Sequence, residues 1–77
     1  MDISQWQRFF ARRLWQYMQA EGITQQELSK LSGVSQASIS GYLRNSRVPA
    51  FPAVANIAHA LNCDIADFIG PYGYIEM

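Results

Sequence analysis

The stretch TQQELSKLSGVSQASISGYLRN, residues 24–45, decides how this chain folds. Thr24 followed by Glu27 is a capping box, in which each residue's side chain satisfies the other's backbone amide. It opens a short helix over about residues 24–32 that is expected to bury Leu28 and Leu31 and to stop near Gly33. Ser35 is then a suitable N-cap for a second short helix over about residues 35–44, with Ile39 and Tyr42 facing inward. Asn45 closes it as a residue that tolerates the left-handed conformation. Two helices this short cannot be stable alone and must pack.

The flanking segments supply what they pack against. Trp6, Phe10, Leu14, Tyr17 and Met18 recur at three- and four-residue intervals, the period of an amphipathic helix. Ser4 with Gln7 reads as its capping box and Gly22 as its stop. Residues 46–51, with Pro49, read as a loop. Pro52 suits the first turn of a further helix whose inward face is Val54, Ile57, Ala58 and Leu61, ending at Asn62. Asp64 is placed to cap a last short helix burying Ile65, Phe68 and Ile69, and Gly70-Pro71 terminates it. The fold class is therefore all-α, a bundle of about five short helices over residues 1–70. A short apolar tail, PYGYIEM, follows over residues 71–77.

Composition agrees with one small domain. Of the 77 residues 49% are hydrophobic and 13% aromatic, enough for a core and too apolar for disorder. Cys63 is the only cysteine, so no intrachain disulfide forms. Charged residues interrupt the first twenty positions, and no run approaches the ~18 apolar residues of a membrane span. The expectation is a cytoplasmic protein with no membrane contact. Net charge is zero, but all six basic residues lie in residues 1–50, against Asp2, Glu21 and Glu27. Asp64, Asp67 and Glu76 leave residues 51–77 acidic. Such a dipolar domain can turn a basic face toward a polyanion.

Joined at a glycine, the two central helices can cross, leaving the outer face of the second free to enter a groove about 12 Å wide. That face holds Gln36, Ala37, Ser40, Gly41 and Arg44: small, polar and without a carboxylate. Here the chain resembles the Cro/repressor-type helix-turn-helix family of phage and bacterial transcriptional regulators, with a lambda-repressor-like fold. The resemblance rests on GIT (22–24), QQEL (25–28), SGVS (32–35), SIS (38–40), RVP (47–49) and IAHALNCDIADFI (57–69), and runs from about Phe9 to Ile69.

The resemblance implies roles residue by residue. Gln36 matches a position that hydrogen-bonds a base edge, which suits a glutamine paired with adenine N6 and N7. Ala37, Ser40 and Gly41 match other groove-facing positions, and Ala37 suits a thymine methyl. Gln25 matches a glutamine that contacts a phosphate and braces the first reading residue. Ser35, Arg44, Ser46 and Arg47 fall where the helix ends and the following loop approach phosphates. Family members often pair an arginine late in the first helix with a glutamate near the end of the third. Met18 and Leu43 stand there instead, an apolar contact in place of an ion pair. Gly41 inside the reading helix is a second departure, costing about 1 kcal/mol against alanine and removing one base contact.

Blander readings stand beside these. Outside this motif Gln25 and Gln36 would be ordinary solvated side chains, as would Arg44 and Arg47. Arg8, Arg12 and Arg13 read as a solvated helix face, with flanking phosphate contact as the alternative. His59, Cys63 and Asp67 are spaced by four, but the break at Asn62 divides them, so they read as structural rather than as metal ligands or a thiol catalyst. No catalytic residue, metal or cofactor is expected. Trp15, Phe51, Tyr72 and Tyr74 either cover the core or mark a partner surface. The expected partner is double-stranded DNA, bound by a homodimer that associates through Ile69, Tyr72, Tyr74 and Ile75. The alternative is an antitoxin-like or adaptor module that binds protein with the same fold.

Overall fold

The structure, a computed structural model, describes residues 3–70. Five helices follow in order: α1 (Ile3–Glu21), α2 (Gln25–Ser32), α3 (Gln36–Leu43), α4 (Phe51–Ala60) and α5 (Ala66–Ile69). No strand occurs among the described residues. The all-α architecture is the one the periodicity predicts.

α1 buries Phe10, Ala11, Leu14 and Met18, with Trp6 and Tyr17 partly covered at the edges of that stripe. It ends at Gly22, whose positive φ of 66° lets the Ile23 amide reach back to the Met18 carbonyl at 3.0 Å. Ser4 lies within α1, so it is not the residue at which the helix begins.

The capping box that opens α2 is complete. Thr24 Oγ1 accepts from the Glu27 amide at 3.1 Å, and Glu27 Oε1 accepts from the Thr24 amide at 2.8 Å. These bonds pull the Glu27 carboxyl below the ordinary glutamate range. Gly33, at φ 76°, closes α2. Leu28 is fully buried, and α2 packs chiefly against α3 and α4. Leu31 corrects the expectation, being 63% exposed. A two-turn helix wedged between two neighbours has a narrow inward stripe, and Leu31, three residues on, falls at its margin.

Ser35 caps α3 as expected, accepting from the Ser38 amide at 3.1 Å. The helix buries Ile39 and Tyr42, and Asn45 takes a φ of 60° just beyond it. α4 begins one residue before Pro52, at Phe51, and buries Val54, Ile57 and Ala58, while Leu61 is buried just past its end. Asn62, at φ 55°, turns the chain toward α5.

α5 is four residues long, and its order comes from what it is tied to. Ile65, not Asp64, stands at its N-cap, and the Asp64 carboxylate one residue earlier accepts from the Ala66 amide at 3.1 Å. Trp6 Nε1 donates to the Phe68 carbonyl, and Arg13 Nε to the Asp67 carbonyl, each at 3.0 Å. These bonds satisfy carbonyls that a four-residue helix leaves without partners. Arg13 is thus a clasp rather than a solvated side chain: its Nη2 lies 3.8 Å from Asp67 Oδ1 and its guanidinium lies against the rings of Phe9 and Tyr17. Phe68 is fully buried, packed on Phe10 and Tyr17 with ring centroids 5.3 and 5.4 Å apart. Ile65 and Ile69 are only partly covered, because one turn aims a single side chain at the core.

One apolar cluster unites α1 to α5: Phe10, Leu14, Met18, Leu28, Val34, Ile39, Tyr42, Val54, Ile57, Ala58, Leu61 and Phe68. Met18 belongs to it and Leu43 packs against it, so the positions of the family's ion pair have joined the core. Among the described residues no helix is long and apolar enough to cross a membrane.

Candidate nucleic-acid interface

The inward residues of α3, Ile39 and Tyr42, lie about 30° either side of one direction on a helix of 3.6 residues per turn. Everything opposite that direction is therefore aimed at solvent. Gln36 and Ala37 are exposed, Ser40 is partly covered, and Arg44 is exposed at the C-cap. No acidic residue lies between Glu27 and Asp64, so the whole segment from α3 to the end of α4 offers nothing to repel a phosphate.

Both ends of α3 are pinned. At its start Ser35 Oγ accepts from the Ser38 amide and donates to Ser38 Oγ at 2.8 Å. At its end the Ser46 hydroxyl donates to the Gly41 carbonyl at 3.2 Å, and the Ser46 amide donates to the same oxygen at 2.9 Å. These two serines, expected at phosphates, give their hydroxyl protons to the helix itself. Their role here is to hold α3 in register, and a phosphate would have to compete for them.

Gln25 stands at the first position of α2 with no side-chain hydrogen bond to Gln36, so the brace that the resemblance implies is not formed. Gly41 departs further from expectation. Its position lies on the outward side, yet it is buried, because the side chain of Arg47 lies over it. Gly41 itself therefore presents no surface to a groove. Arg47 Nη1 donates to Ser38 Oγ at 2.8 Å, and its carbonyl accepts from Gln7 Nε2 of α1 at 3.2 Å. The sequence pattern places Ser38 only within the SIS phrase and Gln7 only in a capping box with Ser4. Only the path of the loop brings them to Arg47.

Of the proposed dimer residues, Ile69 is partly covered, while Tyr72, Tyr74 and Ile75 lie outside the described residues. Trp15 and Phe51 are 56% and 67% exposed and do not seal the core. His59 points outward on α4, and Cys63 is partly buried. Burial, with the neighbouring Asp67 charge adding, raises the Cys63 thiol above its ordinary range, the opposite of what a nucleophilic thiolate needs. Among the described residues no group of three or more His, Cys, Asp or Glu side chains is placed to hold a metal ion.

A family model described as helix-turn-helix matches residues 16–68, more than half of the chain and the whole of α2, α3 and α4. No curated protein matches the chain. The crossed pair α2 and α3, with the second helix turned outward, is this family's motif, and the chain belongs to the Cro/repressor-type helix-turn-helix family of DNA-binding transcription regulators.

Proposed function

We propose that the protein is a sequence-specific repressor of the phage or prophage type, acting as a homodimer on a palindromic operator. The observation that carries this reading is the outward face of α3: exposed, free of carboxylates, and fastened at both ends by Ser35 and Ser46. A helix fixed in this way enters the major groove with little loss of freedom, and its first residues meet the base edges. Gln36 reads adenine, Ala37 touches a thymine methyl, and Ser40 adds a polar contact deeper along the helix. Gln25 and Arg44 take phosphates on either side of the groove. Each protomer places α3 in one half-site, the two separated by about one turn of DNA, ~34–36 Å. Pairing is what lifts so few contacts to useful affinity at physiological salt. The tail over residues 71–77 is largely apolar in composition and has no basic residue, and with Ile69 it is assigned to the dimer contact.

A protein-binding module of the antitoxin or adaptor kind is the second reading, favoured by the exposure of Trp15 and Phe51. Selection from a random duplex pool decides between them. An enriched palindrome is the expected result, and absence of enrichment at low salt overturns the repressor reading in favour of the module.

A further inference from the structure

Gly41 occupies the outward side of α3, between the directions of Ala37 and Arg44 on one side and Ser38 on the other. Its backbone is ordinary helix, unlike Gly22, Gly33 and Gly70, which have positive φ. Conformational freedom is therefore not what the glycine supplies. What it supplies is room. A Cβ at this position would stand 2.9 Å from both Cγ and Cδ of Arg47 and 3.3 Å from its Cβ, closer than such atoms approach without a shift. The bare backbone of α3 is a shallow bed for the arginine's aliphatic stem.

The loop after α3 is bent so as to deliver that stem. Asn45 turns back at φ 60°, and the amides of Ser46 and Arg47 both converge on the Gly41 carbonyl, at 2.9 and 3.3 Å. From α1, Gln7 holds the Arg47 carbonyl at 3.2 Å. The guanidinium then runs back one turn along α3 to Ser38, the third residue of the helix, which is itself tied to Ser35. Only Nη1 is engaged, so most of the five donors of the fork remain free. Among the described residues no carboxylate is paired with it.

From this geometry we infer that Arg47 is a base-reading residue, carried by the loop but laid along the reading helix in the place a side chain at position 41 would fill, where it takes the O6 and N7 acceptors of a guanine. The inference rests on the DNA-reading function proposed above. An arginine that grips phosphate swings out from the helix toward the groove wall. This one is held against the first turns of α3, the part of a recognition helix that meets base edges. Its stem is already ordered by the Gly41 bed and the Ser38 bond, so less side-chain freedom is lost on contact.

The test is selection from a random duplex pool with the full chain and three variants, Arg47→Ala, Arg47→Lys and Gly41→Ala, each checked by circular dichroism and melting. The wild type is expected to select a guanine at one position of each half-site, by a factor of roughly 5 to 150, the discrimination of one bidentate pair. Arg47→Lys keeps the charge but not the fork, and Gly41→Ala displaces the stem while improving helix propensity. Both are expected to lose that one preference and to keep the others, without a fall in melting temperature. Weaker binding by Arg47→Ala at every sequence, with all base preferences intact in the three variants, makes Arg47 a phosphate contact and overturns the inference alone. No enriched sequence for the wild type overturns the DNA-reading function, and the inference with it.

Discussion

Phe68→Ala is the most demanding test of the fold, because it asks whether a four-residue helix belongs to the core or merely lies on it. Phe68 is fully buried, its ring packs on Phe10 and Tyr17, and its carbonyl receives the Trp6 indole. A buried phenylalanine truncated to alanine costs about 3–5 kcal/mol. At roughly 0.05–0.15 kcal/mol per residue, a domain of 77 residues holds only about 4–12 kcal/mol in all. The substitution therefore removes about a quarter or more of the total, and the melting temperature should fall by roughly 12–40 °C. Urea unfolding followed by far-UV circular dichroism, with the fluorescence of Trp6 and Trp15 together as a second probe, measures it. Phe68→Leu, expected to cost about 1–2 kcal/mol, keeps the measurement possible where the alanine variant does not fold. Ile69→Ala, next to it but only partly covered, should cost no more than about 1–2 kcal/mol. A loss below about 1.5 kcal/mol for Phe68→Ala, with an unchanged denaturant slope, would refute the view that α5 is part of the core.

Three further outcomes follow from the same contacts. Gln36→Ala should lose about 1–3 kcal/mol of discrimination at a single base position in competition binding, and equal weakening on specific and random DNA would contradict base reading by Gln36. Arg44→Ala should weaken binding to every sequence and flatten the log-log salt dependence by about 0.9; an unchanged slope places Arg44 away from the phosphates. Glu27 has its carboxyl lowered by the Thr24 amide, so the stability it adds is complete above the unfolded value near 4.5 and is lost as pH falls through the folded one. Glu27→Gln can still accept that amide bond without titrating, so its melting temperature should vary less with pH between about 6 and 3 than the wild type's.

Much of this protein is written locally. The Thr24–Glu27 box, the Ser35 cap, and the stops at Gly22, Gly33, Asn45 and Asn62 are each decided by a residue's own conformational preference and reach no further than one turn. The inward residues of α1, α3 and α4 follow from a spacing of three and four, which any helix converts into a face. Those features are legible without a structure, and with them the fold and the outward face of α3. What the sequence alone could not settle depends on contacts between residues far apart along the chain. Leu31 repeats Leu28's pattern, yet it is exposed because α3 and α4 leave α2 only a narrow stripe to bury. Arg13 resembles its neighbours Arg8 and Arg12, yet Asp67, 54 positions away, claims it. Gly41 reads as a missing side chain and Arg47 as a loop charge until the turn at Asn45 lays one over the other. A helical period ranks positions by direction. Only the packed neighbours decide what stands in that direction, and at Gly41 it is another residue's side chain.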